Sequence, residues 1–138
     1  MSSYKRNWLT KRDIYRKPGE LYLTRYVLVH FKLIGIYLHK FWTSDYDVPH
    51  DHPANFFSIP ITTGYEEHLA DGTSVWRRPF SIKFRTGEEF HWVELTKGPV
   101  WSIFIRFRRR REWGFLTKDG WVHHDIYNES LGIPKEVE

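Results

Sequence analysis

The stretch His50-Asp51-His52-Pro53-Ala54-Asn55-Phe56-Phe57-Ser58-Ile59-Pro60-Ile61-Thr62-Thr63-Gly64-Tyr65-Glu66-Glu67-His68-Leu69 decides how the chain is read. From Asn55 to Ile61 it is apolar and rich in aromatic and β-branched residues, which favour strands. A Thr-Thr-Gly turn follows, then a second short run from Tyr65 to Leu69, so the pattern is strand, turn, strand. Gly64 is expected to supply the positive φ that a tight turn demands. Ahead of the first strand stands a His-x-His pair. Side chains alternate faces along extended backbone, so His50 and His52 share one face and Asp51 points the other way.

The same grammar extends in both directions. Leu21 to Leu28, Ile34 to Trp42, Asn55 to Ile61, Tyr65 to Leu69, Ser74 to Arg78, Phe80 to Arg85, Phe90 to Leu95 and Trp101 to Phe107 read as strands. Ala70-Asp71-Gly72-Thr73, Thr86-Gly87-Glu88 and Lys97-Gly98-Pro99 read as turns between them. Many short strands in 138 residues imply one all-β domain over 1–138, a closed barrel or jelly roll with its core at about 20–116. Thr10 to Tyr15 opens a short helix or lies extended, and Lys17-Pro18-Gly19 ends it in either case. After the Lys118-Asp119-Gly120 turn and Trp121 the pattern dissolves, so both terminal segments are expected to be peripheral.

Composition excludes several classes. Seven Trp, eight Tyr and ten Phe supply ample core, and no cysteine is present, which removes disulfides, thiolate zinc sites and cysteine nucleophiles. Even Tyr26 to Phe41 is interrupted by His30, Lys32, His39 and Lys40, so no membrane span is expected. The first residues carry no secretory pattern, and a cytoplasmic location is expected. A net charge of +4 is mild and does not by itself indicate a nucleic-acid partner.

Eight histidines then become informative. His50 and His52 on one face, with His91 from the later strand, form a facial three-ligand set that leaves positions open on a divalent transition metal at bond lengths of roughly 2.0–2.2 Å. Those residues resemble the cupin superfamily, whose first motif runs Gly, five residues, His-x-His, three or four residues, Glu, six residues, Gly. With the histidines on His50 and His52, the leading glycine falls on Ser44, the glutamate on Phe57 and the final glycine on Gly64. The second motif, Pro-x-Gly-x-x-His, falls on Thr86, Glu88 and His91, with Gly87 one place from the expected glycine. The His50-Asp-His-Pro string is similar to small bacterial and phage cupin-like proteins without assigned activity.

The resemblance implies a cupin-type double-stranded β-helix. With Phe57 in place of the acidic ligand, it implies a three-histidine site like that of cupin-fold thiol dioxygenases, or one that recruits Glu66 or Glu67. Only one of those two neighbours can face inward. The metal expected first is iron, with Mn, Ni or Zn as alternatives. Tyr65, Glu66 and Glu67 are the candidate catalytic residues, and His39, Phe57, Ile59, Trp101 and Arg106 are candidates for the pocket. The implied activity is an Fe(II)-type oxidation of a small molecule, anionic ones among the candidates; the alternatives are a metal-assisted isomerase or lyase and a non-catalytic ligand-binding module. The resemblance also implies a homodimer through the outer sheet, with Tyr22 to Leu28 as contact material.

Arg106 and the run Arg108 to Arg111 suit phosphate or other anions, yet a solvated strand end paired with nearby acids is the preferred reading. Trp42, Trp76, Trp92, Trp101 and Trp113 could stack bases, but most Trp in so small a barrel is core. Nucleic acid ranks last among the partners. His30, His68, His123 and His124 are read as packing or surface residues, and Asp51 as a solvated group or one that orients a ligating imidazole.

Overall fold

Alternating side-chain direction folds this chain into two facing antiparallel sheets, as the computed structural model shows for residues 10–45 and 48–133. The strands are β1 (Lys11–Lys17), β2 (Glu20–His30), β3 (Ile34–Phe41), β4 (Phe56–Pro60), β5 (Tyr65–Leu69), β6 (Ser74–Arg77), β7 (Lys83–Arg85), β8 (His91–Glu94), β9 (Val100–Phe107), β10 (Gly114–Thr117) and β11 (Gly120–His123). A short helix, α1 (His124–Ser130), follows. The larger sheet has the order β1-β2-β3-β9-β4-β7, and the smaller one contains β6-β5-β8. The N-terminal segment is extended, since β1 pairs along β2 from Lys11 opposite Tyr26 to Lys17 opposite Glu20.

Register decides which residues enter the core. His39 lies opposite Ser102, and Ser102 opposite Pro60; the next inward row is Tyr37, Phe104 and Ser58, and the one after it Gly35, Arg106 and Phe56. Leu23, Val27, Tyr37, Phe56 and Val100 are buried accordingly. The intervening positions Ile36, Leu38, Phe57, Ile59, Trp101, Ile103 and Ile105 face out. Phe57 meets Phe84 and Phe107 there, and Trp101 stacks on Tyr26 with Lys40 over its ring. The expectation that Phe57, Ile59 and Trp101 line the cavity is therefore corrected: they stand one residue out of phase with Phe56, Ser58 and Ser102, and period 2 sends them to the opposite surface.

Two glycine expectations also change. Gly72 and Gly98 have φ of +88° and +84°, as their turns require, but Gly64 and Gly87 do not adopt positive φ. They are glycine because backbone passes close by: a Cβ at Gly64 would sit 2.3 Å from Arg77 O, and one at Gly87 2.8 Å from His52 O. The expected strand from Phe80 shortens to Lys83–Arg85, since Phe80 takes φ of 65° and breaks the extended run.

The C-terminal segment is not peripheral. Residues 49–52 lie between β8 and β10: His50 N–H donates to His91 O at 2.9 Å and His91 N–H to His50 O at 3.1 Å, while Asp51 N–H reaches Gly114 O at 3.1 Å and Leu116 N–H reaches Pro49 O at 2.8 Å. The β10–β11 hairpin thus extends the smaller sheet. Asp51, fully buried at 0% exposure, fastens it. Its carboxylate accepts from Gly114 N at 2.7 Å, Arg111 Nη1 at 2.8 Å and Trp121 Nε1 at 3.2 Å. The sequence reads as a fading tail because the residue that holds it lies some sixty positions upstream. Removing a buried carboxylate strands several donors together. Asp51→Ala is expected to lose about 3 kcal/mol in urea unfolding, and a change below about 0.5 kcal/mol would show that the hairpin does not depend on this group.

Candidate metal centre

The extended backbone of 49–52 sends His50 and His52 to the same inner face, and the bridge between His50 and His91 sets the third ring beside them. Centroids are 4.9 Å apart for His50 and His52, 5.0 Å for His50 and His91, and 4.9 Å for His52 and His91. One ring nitrogen from each lies within 4.8 Å of the others. The two strand-distant parts of the sequence expectation are therefore brought together.

The chemistry of these nitrogens suits a cation. Burial pushes His50 down to about 4 and His52 well below the ordinary imidazole range, so both rings are neutral near pH 7 and carry lone pairs. His52 Nδ1 is buried with no hydrogen-bond partner, a costly state for a polar atom unless something else satisfies it. His91, 7% exposed, has Nδ1 2.5 Å from Glu67 Oε2. A carboxylate can only accept, so Nδ1 carries the proton and Nε2 is left to ligate.

Glu67 is the inward member of the Glu66–Glu67 pair and is only 3% exposed. It is not a ligand in reserve. Its oxygens accept from Arg77 Nε at 2.7 Å, Arg85 Nε at 3.0 Å and Arg85 Nη2 at 2.8 Å as well as from His91. Burial alone would raise its carboxyl, but the hydrogen bonds from His91 and Arg85 outweigh it and hold the group far below the usual range. Glu66 lies in the opposite phase, across from Trp76 and Glu94. It shares that outer face with His68, which stacks on Trp92 at 3.8 Å and meets Glu94 at 2.9 Å.

Phe56, rather than Phe57, occupies the inner position beside the triad, with its ring 4.4 Å from His52. It stacks on Phe104 at 4.7 Å, and Phe104 stacks on His39 at 5.1 Å. His39 is thus inside the barrel but two aromatic layers from the triad, and its Nε2 accepts from Arg25 Nε at 3.1 Å. Arg106 points inward and spends its guanidinium on Tyr37 OH at 3.1 Å and Phe31 O at 2.8 Å. Tyr65 is buried, hydrogen-bonded with Ser58 at 2.8 Å, and burial raises its hydroxyl to about 12. The Arg run is partly spoken for, as expected: Arg110 meets Glu88 at 2.5 Å and Arg111 meets Asp51 at 2.8 Å.

One functional group escaped the sequence reading. Asp45 accepts from Tyr22 OH and from Val93 N–H at 2.8 Å, and its negative charge acts on His50. It sits in an unpatterned loop, and no spacing rule links it to a histidine five residues on.

Depressed imidazoles have a consequence for the metal-free protein. The unfolded chain binds protons near pH 6.5 that the folded His50 refuses until about pH 4. Stability is therefore full above about pH 6.5 and is lost as pH falls through that window. The urea midpoint of chelator-treated protein is expected to drop between these values; a flat midpoint would mean the rings are solvated.

No protein-family model and no curated protein matches the sequence. Solved structures do match in fold. HppE in its Fe(II) form is similar over 70% of this chain and 56% of its own, at 13% identity and a TM-score of 0.59. KdgF from Halomonas sp. is similar over 73% and 89%, at 18% identity and 0.58. A cupin superfamily protein from Desulfitobacterium hafniense DCB-2 is similar over 62% and 77%, at 12% identity and 0.54. The chain spans little more than half the length of HppE. Among the described residues no helix is long and apolar enough to cross a membrane. The chain has the all-β, two-sheet fold of the cupin-superfamily proteins, with a three-histidine group on its inner face.

Proposed function

We propose that this protein is a mononuclear metalloenzyme acting on a small molecule inside the barrel, with His50, His52 and His91 holding one divalent transition metal. The observation that carries this reading is the convergence of three imidazole nitrogens, two of them on rings kept neutral by burial, one of which is otherwise without a partner. Iron is the first candidate, with Mn, Ni or Zn as alternatives, and the fold shared with an Fe(II) form of HppE supports that order. A bound Fe(II) would supply one-electron chemistry with dioxygen at positions the three nitrogens leave open.

The chain's own residues have separate tasks. Glu67, fixed by Arg77 and Arg85, orients His91 and keeps its Nδ1 protonated. Phe56 and Phe104 exclude water from the side of the triad facing the larger sheet. Tyr65 remains a protonated donor at any ordinary pH. Arg25 and Arg106 both lie against the Tyr37 ring, at 4.7 and 5.9 Å, with their guanidinium groups already bonded to His39, Tyr37 OH and Phe31 O.

A second reading, a metal-assisted isomerase or lyase, is favoured by the Tyr22–Asp45 pair, a hydroxyl and a carboxylate in contact whose charge acts on His50. Both readings predict a divalent metal in the purified protein and, with metal supplied during expression, about one ion per chain fewer in His50→Ala/His52→Ala. Iron with substrate-dependent oxygen uptake supports the oxidase reading; activity with zinc or nickel and no oxygen uptake supports the second. A wild type that refuses Fe, Mn, Ni and Zn on reconstitution overturns both and leaves a ligand-binding barrel.

The partner in solution is proposed to be a second copy. The outer face of the larger sheet carries Ile36, Leu38, Phe57, Ile59, Trp101, Ile103 and Ile105, with Phe84 42% exposed. A one-sided sheet normally turns polar residues to water, and a continuous apolar face of this size marks an association surface. Two such faces related by a two-fold axis pack as a sandwich. Light scattering should give twice the 16.8 kDa chain mass for the wild type and the single mass for Ile103→Lys; a monomeric wild type overturns the dimer.

A further inference from the structure

A second group of metal-binding side chains lies where the β10–β11 hairpin meets α1. Glu112, His123 and His124 each offer one ligand atom within 4.8 Å of the others. His123 Nδ1 accepts the Asp125 N–H at 3.2 Å as the helix cap, so its lone pair is used there and Nε2 is the atom turned to Glu112, at 2.6 Å. In the neutral ring that Nε2 carries a proton, which a cation can replace without disturbing the cap. His124 is held on the other side by its stack on Trp113, at 4.4 Å and 5° between planes, and its ring lies 4.3 Å from that of His123.

We infer that Glu112, His123 and His124 form a second divalent-cation site, outside the barrel and suited to zinc. Two imidazoles and one carboxylate are a donor set that zinc takes with a fourth position open to water. Ion pairs link Glu112 to His123 at 2.6 Å and His124 Nδ1 to Asp125 Oδ1 at 3.4 Å, which sets a second carboxylate beside the cluster, and the Trp113 stack fixes the His124 ring there. The side chains of Glu112, His123 and His124 are 63%, 24% and 11% exposed, so an ion has a route in while two ligands stay partly sheltered. The site would tie the start of α1 to the loop before β10. Trp113 also contacts the His50 ring, at 6.1 Å, so zinc here braces one wall of the inner centre.

The test is titration of chelator-stripped protein with Zn2+ against a competing chromogenic chelator, with metal per chain and melting temperature as readouts. The wild type is expected to take two zinc ions. Glu112→Gln/His123→Gln, which keeps shape and hydrogen-bonding capacity, takes one; His50→Ala/His52→Ala takes one; and the combined variant takes none. Zinc should raise the melting temperature of His50→Ala/His52→Ala but not of the combined variant, each measured against its own stripped form because His123→Gln also alters the α1 cap. Equal zinc content in the wild type and Glu112→Gln/His123→Gln overturns the outer site and leaves the inner centre standing. Zinc kept by His50→Ala/His52→Ala at the wild-type level of one ion, and lost in Glu112→Gln/His123→Gln, supports the outer site and overturns the inner one.

Discussion

Two backbone hydrogen bonds exchanged by His50 and His91 hold this structure's chemistry in place. They bind residues 49–52 to β8 as a short interior strand, although the two segments are some forty residues apart in sequence. Everything inward of that pair follows from the pleat: His50 and His52 on one face, His91 alongside, Asp51 behind. Without the pair the His-x-His segment would be a loop with no defined face. A metal centre requires ligands held to a few tenths of an ångström, which a ladder position provides and a free loop does not.

Behind this seam the protein buries charge on both sides. Outward, Asp51 gathers Arg111, the Gly114 amide and the Trp121 indole, so the C-terminal hairpin becomes part of the smaller sheet. Inward, Glu67 gathers Arg77, Arg85 and His91. Buried carboxylates are costly unless donors surround them; Glu67 accepts four hydrogen bonds and Asp51 three. Their shared consequence is rigidity: Asp51 fixes the backbone between His50 and His52, and Glu67 fixes the ring of His91.

Legibility tracked the range of the interactions. The strand at Tyr65–Leu69 and the core of each longer strand were readable, because alternation and turn residues are local. His50, His52 and His91 were readable because two lie within one strand repeat and the third in a short apolar run. The inward choice of Glu67 over Glu66 was reducible to a pair but not further. Phase was the weak point at Phe57, Ile59 and Trp101, since aromatic and aliphatic residues occupy both faces and no polar alternation marks the outside. Asp45 and the Glu112, His123 and His124 group were not legible as sites, being assembled from loop and hairpin ends.

The sequence by itself determined the all-β class, the positions of β2 to β9 with β7 drawn too long, and the identity of three metal-competent histidines, because strand propensity, turn chemistry and period-2 spacing act between near neighbours. Only the tertiary structure decided what those histidines face and what holds them. Which phase of each strand looks inward, that Glu67 serves His91 rather than a metal, and that Asp51 folds the last strands onto the seam all depend on cross-strand register. Register is set by contacts between residues far apart in the chain, and no local pattern encodes it.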